Sequence, residues 1–178
     1  MPTIHPLKIS DADGQTAATL EAVKAKLGGV PNLLATLANS PAALQGYLQM
    51  SETLGAGQLT ARQREIVALA TAQENACGYC LSAHSLIGKA TGLSEDDIRL
   101  ARAGTASTIR DAAIASFAQQ LVRERGRLDA RAVSLARADG LSDGLILEII
   151  ANVALNVLTN YTNHVAGTLI DFPVLEVA

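Results

Sequence analysis

The chain has no tryptophan, only three tyrosines and two phenylalanines, so aromatic residues make up 3% of it. Single-stranded nucleic acid is held on stacked rings, and too few rings are present for such a platform. Basic residues are not in excess. Fourteen Lys and Arg stand against 17 Asp and Glu for a net charge of -3, and they are scattered. The basic footprint needed by a nucleic acid or an anionic membrane surface is therefore missing. The opening "MPTIHPLKISDADG" has neither a basic leader nor an apolar segment of signal-peptide length, so a cytoplasmic location is expected. No run alternates apolar and polar residues as a strand does. What remains is 49% hydrophobic and 17% charged over 178 residues. That composition excludes disorder and is enough for one domain, residues 1–178, with a real core.

Helical periodicity is nearly continuous, which makes the class all-α. Ser40 followed by Pro41 opens a helix through about Thr53. Thr60 opens "TARQREIVALATAQENA", and "YCLSAHSLIGKAT" continues after Gly78 until Gly92. "SEDD" at Ser94 has the form of a capping box with Asp97 in place of Glu. Further helices fit about Thr16–Leu27, Ser107–Arg125, Asp129–Ala138 and Ser142–Ala166, the last stopped by Gly167. Residues 149–170 carry no Asp, Glu, Lys or Arg, long enough to span a bilayer. Asn152, Asn156, Asn160, Asn163 and His164 make that stretch a poor lipid-facing helix, so it is expected inside the protein or against another subunit. A faint internal echo links "LTARQREIVALA" (59–70) with "LSDGLILEIIANVA" (141–154), consistent with a weak duplication of a helical hairpin or with chance.

Both cysteines lie in "ENACGYCLSAHS". Two thiols without a leader sequence do not make a disulfide framework, and in a reducing compartment such a pair is catalytic, metal-binding or simply buried. As a redox pair, a helix beginning near Cys80 would place that sulfur at the positive end of the helix dipole and favour its thiolate. His84, four residues on, lies on the same helical face and is placed to exchange a proton with Cys80. Glu65 in the preceding helix is the candidate to orient His84. A hinge at Gly78 leaves the two offset by about 10 Å at 1.5 Å rise per residue, so a bend is required. As a metal site, Cys77, Cys80 and His84 supply three ligands, with His5 or His164 as a fourth, but no second Cys-x-x-Cys is present. Haem attachment fails because position 81 is Leu.

Glu65, Cys77-Gly78-Tyr79-Cys80 and His84 together resemble the signature of the AhpD-like alkylhydroperoxidases of the carboxymuconolactone decarboxylase superfamily. The resemblance is strongest over about residues 45–105, and "NHVAGTLIDFP" (163–173) is similar to the closing helix of its peroxidase-related branch. It implies an AhpD-like helical bundle assembling as a homo-oligomer, trimeric, hexameric or related. It implies thiol-dependent reduction of hydroperoxides with no cofactor. Cys80 would attack the peroxide, Cys77 would resolve the sulfenic acid, His84 and Glu65 would relay protons, and Tyr79 would donate a hydrogen bond near the sulfur. The reductant implied is a lipoyl-bearing or thioredoxin-like protein. The alternatives are a thiol–disulfide oxidoreductase without peroxidase activity, and a non-enzymatic helical assembly module with structural or zinc-bound cysteines.

The Asn stripe at 152, 156, 160 and 163 needs polar partners if buried. One expectation is that Asn160 and His164 line a pocket above Cys80; the other, taken as the default, is a satisfied seam between helices or subunits. His5 and Glu74 read as solvated, and Glu148 as a counterpart of Glu65 or an exposed residue.

Overall fold

Seven of the nine α-helices among the described residues open on a Ser, Thr or Asp whose side chain accepts a backbone N–H of the first turn, which makes the two exceptions informative. The computed structural model describes residues 1–177. A 3₁₀ turn at Ile9–Asp11 precedes α1 (Gly14–Leu27), α2 (Asn32–Leu37), α3 (Pro41–Gly55), α4 (Ala61–Glu74) and α5 (Gly78–Ala90). Then follow α6 (Glu95–Arg102), α7 (Ile109–Arg123), α8 (Ala130–Ala138) and α9 (Asp143–Ala166), and no strand occurs among the described residues. The expected capping box at Ser94 and Asp97 is present, as is a second one at Thr60 and Gln63. The exceptions are α2, which opens on Pro31, and α5, which opens on the sulfur of Cys77.

Helix α4 is the axis of the molecule and packs against α5, α6, α7 and α9. Its residues Ile66 to Ala72 are all buried, as a helix surrounded on every side must be. Alanines at 68, 70 and 72 let neighbours approach closely, while Ile66, Val67 and Leu69 fill the space between. Arg62 ties the start of α4 to α6 and α7, meeting Asp97 at 3.0 Å and Asp111 at 2.8 Å.

Helix α9 is long and apolar enough to cross a membrane by length and composition. In the protein, Leu145, Ile149 and Val153 join the core from one of its faces. Glu148, one turn in, accepts the backbone N–H groups of Gln58 and Leu59 at 2.7–3.2 Å and so fixes the segment that leads into α4. Gly167, at φ 59, ends the helix in the left-handed conformation. The closing helix thus stops at Ala166, and the rest of "NHVAGTLIDFP" is a non-helical tail. That tail crosses back over the start of α5: Asp171 accepts the Asn32 N–H, Ser82 Oγ accepts the Leu175 N–H, and Arg102 donates to the Glu176 carbonyl.

Candidate active site

The reversal between α4 and α5 occupies Asn75, Ala76 and Cys77, with Ala76 in the left-handed region at φ 52. Cys77 N–H closes this turn onto the Ala72 carbonyl at 2.9 Å. One sequence-based expectation is corrected here: the hinge is not Gly78, which is already the first residue of α5, while the helix does begin near Cys80, two residues before it. Moving the hinge to Ala76 also removes the offset between Glu65 and His84. They lie eleven residues before and eight residues after it, a mismatch of about 4.5 Å that two side chains span without any bend. His84 Nδ1 meets Glu65 Oε2 at 2.8 Å. A carboxylate only accepts, so Nδ1 donates this bond, and Nε2 is the nitrogen that serves as the base in the neutral imidazole.

Both sulfurs sit at the positive end of the α5 dipole. Cys77 is the N-cap, and its Sγ accepts the Cys80 N–H at 3.3 Å. Cys80 lies in the first turn, and the two sulfurs are joined as a disulfide with Cα atoms 5.3 Å apart. Both residues are buried, but only Cys80 lines the adjacent cavity of about 210 Å³. Glu65, Tyr79 and His84 line the same cavity. Among the described residues no three His, Cys, Asp or Glu side chains converge as a metal-binding group.

Tyr79 is buried, with its ring edge-on to Phe172 of the tail at 5.5 Å between centroids. Its hydroxyl accepts the Leu33 N–H at 3.2 Å. Burial, with the nearby Asp171 carboxylate adding to it, pushes the Tyr79 hydroxyl well above the ordinary tyrosine range, so it stays protonated at any physiological pH.

The Asn stripe divides along α9. Asn152 and Asn156 face the cavity, each donating its Nδ2 back to the carbonyl one turn earlier. Asn160 and His164 do not line it. Fully buried Asn160 accepts from Asn75 Nδ2 at 2.9 Å, and exposed His164 donates through Nε2 to the Asn75 carbonyl at 2.9 Å. Each four-residue step carries the stripe about 6 Å along the helix. Thr159 still lines the cavity, whereas Asn160 and His164 are turned toward the α4–α5 turn, which they anchor through Asn75. Asn163 is the member that touches sulfur: its Nδ2 donates to Cys80 Sγ at 3.2 Å, while its Oδ1 is buried without a partner among the described residues.

Sequence reasoning named Asn163 only as part of the stripe, and it missed Arg64, Tyr47 and Ser51, which also line the cavity. The one signal for Arg64 is its place beside Glu65; Tyr47 and Ser51 arrive from α3, far away in sequence.

The sequence pattern of the carboxymuconolactone decarboxylase family matches residues 41–124, a segment that contains Glu65, both cysteines, Tyr79 and His84. No curated protein matches the chain. Among solved structures, an alkylhydroperoxidase AhpD core, a peroxidase-related protein from Ralstonia eutropha JMP134, superposes with a TM-score of 0.86 at 22% identity, over 96% of this chain and 92% of that one. A peroxidase-related protein from Silicibacter sp. TM1040 gives 0.81 at 23% identity, over 94% and 92% of the two chains. The debrominase Bmp8, solved as a cysteine-to-alanine variant in complex with 2,3,4-tribromopyrrole, gives 0.79 at 21% identity, over 95% and 91%. At these identities the likeness is one of fold. The segment that holds the site thus matches the carboxymuconolactone decarboxylase family, and the chain shares the AhpD-like helical fold over nearly its whole length.

Proposed function

We propose that the protein is a thiol-dependent peroxidase reducing hydroperoxides through Cys80 and Cys77. The observation that carries this reading is that one cavity holds Cys80 and the Glu65–His84 pair, with the sulfur of Cys77 bonded directly behind. In the reduced protein, His84 Nε2 takes the Cys80 proton. The thiolate attacks the terminal peroxide oxygen, the O–O bond breaks, and the leaving alkoxide receives the proton from His84. Cys80 is then a sulfenic acid. Cys77, favoured as a thiolate by its place at the helix N-terminus, attacks Cys80 Sγ and expels hydroxide, which leaves as water after protonation. The sum is one hydroperoxide and two thiols giving one alcohol, one water and the disulfide.

Reduction of the disulfide falls to a dithiol partner of the lipoyl-bearing or thioredoxin-like kind in the cytoplasm. Self-association through α9 is part of the same reading. Leu147, Ala154, Leu158, Tyr161 and Val165 are exposed there at the seven-, four- and three-residue intervals of a helix–helix seam. A sedimentation mass that is oligomeric for the wild type and lower for Leu158→Glu supports the seam; a monomeric wild type refutes it.

Turnover of cumene hydroperoxide with dihydrolipoamide tests the function. The wild type should consume peroxide, and Cys80→Ser should not. Reduction of the disulfide by dithiol with no consumption of any hydroperoxide makes the protein a disulfide oxidoreductase instead.

A further inference from the structure

Two arginines stand in the first turns of α4, and only one is neutralised. Arg62 is held between Asp97 and Asp111, whereas Arg64 meets no carboxylate among the described residues. Its one hydrogen bond there is from Nη1 to the Leu59 carbonyl at 2.6 Å. That bond anchors the guanidinium and leaves most of its five N–H donors unused. The side chain is half-buried and lines the cavity that holds Cys80.

The other charged groups of that cavity are Glu65 and His84, which engage each other. Arg64 is thus its uncommitted charge among the described residues. Half-buried with no carboxylate on it, the Arg64 guanidinium is a planar donor fork available to an anion in the cavity. The Tyr47 and Ser51 hydroxyls stand on the same wall. Burial, and then the Glu65 charge, raises the Tyr47 hydroxyl above the ordinary range, so it remains a donor. The remaining surface includes Ala68, Ala83 and Leu155, suited to a short apolar stem.

We propose that Arg64 binds a carboxylate on the molecule that reacts at Cys80, making the preferred oxidant a small organic acid that carries a hydroperoxide. The planar guanidinium matches a carboxylate through two parallel N–H···O bonds, an arrangement a neutral alkyl hydroperoxide cannot use. A cavity of about 210 Å³ has the volume of about seven liquid waters, so the acid is of a few carbons or one ring. The identity of the oxidant rests on the peroxidase reading; the anion subsite itself does not.

The test compares 4-(2-hydroperoxypropan-2-yl)benzoic acid with its methyl ester on wild type, Arg64→Gln and Arg64→Lys, all checked for helical circular dichroism. The acid-to-ester ratio of kcat/KM should exceed one in the wild type. It should fall about tenfold or more in Arg64→Gln, as expected for loss of a charge-assisted bond, and recover in part in Arg64→Lys. A ratio that ignores Arg64 overturns the proposal. A second arm needs no peroxide: the rates at which iodoacetate and iodoacetamide alkylate Cys80 in a Cys77→Ser background. The iodoacetate-to-iodoacetamide ratio should also fall in Arg64→Gln. If neither hydroperoxide reacts and this ratio still depends on Arg64, the peroxidase reading fails and the anion subsite stands. If this ratio is indifferent to Arg64, the subsite is refuted.

Discussion

Asn163→Leu removes the hydrogen-bond donor nearest the reacting sulfur while roughly keeping the volume of the side chain. In the disulfide form, Asn163 Nδ2 donates to Cys80 Sγ at 3.2 Å, and that is the side chain's one hydrogen bond among the described residues. After reduction the same donor faces a sulfur able to carry a full charge. A hydrogen bond to a charged group contributes about 1.5–3 kcal/mol, against about 0.5–1.5 kcal/mol for a neutral one. Sulfur is a weak acceptor, so the low ends of both ranges apply and the difference is about 1 kcal/mol. At about 1.36 kcal/mol per pKa unit, loss of the donor should raise the Cys80 pKa by about 0.7 unit. Below that pKa the thiolate fraction, and with it the rate of attack, drops about fivefold. The orphaned Oδ1 disappears in the same substitution, and a buried unpaired polar atom costs about 1–3 kcal/mol. Thermal stability should therefore hold or rise. The assay is the pH dependence of Cys80 alkylation by iodoacetamide in a Cys77→Ser background. A Cys80 pKa that is unchanged in folded Asn163→Leu would refute the idea that Asn163 stabilises the thiolate.

Glu65→Gln keeps the shape but removes the charge that fixes the Nδ1–H tautomer of His84; peroxide kcat/KM should fall about a hundredfold, in the range for loss of an acid–base group. His164→Gln alters only the support of Asn75, so turnover should stay within about twofold, the usual size of an exposed substitution; a larger loss would return His164 to the cavity. Tyr79 also makes stability pH-dependent. Its folded-state pKa lies above the ordinary tyrosine value of 10.0, so the folded chain keeps a proton that the unfolded chain releases. Stability from this group is intact below about pH 10 and declines as pH rises beyond it. Alkaline urea titrations should show a shallower decline for Tyr79→Phe than for the wild type, and equal slopes would contradict the assignment.

The all-helical class was legible because each segment pairs a 3.6-residue apolar period with a capping side chain at its start, as at Ser40, Thr60, Ser94 and Ser142. Helix α2 was missed for the complementary reason: it is six residues long and opens on Pro31 without a side-chain cap. The spacing of Glu65, Cys77, Tyr79, Cys80 and His84 marked the site, but the turn between its helices was misplaced. Glycine is the usual left-handed residue, and here Ala76 takes that conformation one step before an N-cap made of sulfur. Nor does a stripe of asparagines show where along a 24-residue helix it passes a cavity; that depends on how α9 crosses α4 and α5. Arg64 was illegible on principle. Its significance is that no carboxylate among the described residues pairs with it, and such a fact exists only once Asp97 and Asp111 have been placed on Arg62 and Glu65 on His84.

The mechanism stands or falls on the division of labour between the two sulfurs, with Cys80 meeting the oxidant and Cys77 resolving it. The most direct test treats fully reduced wild type, Cys80→Ser and Cys77→Ser with one equivalent of cumene hydroperoxide and reads intact mass and free thiols. The wild type should lose both thiols as one internal disulfide, and Cys80→Ser should not react. Cys77→Ser should gain one oxygen atom on Cys80. Oxygen captured by Cys77 in the Cys80→Ser protein, or thiols that remain free throughout, would contradict that division.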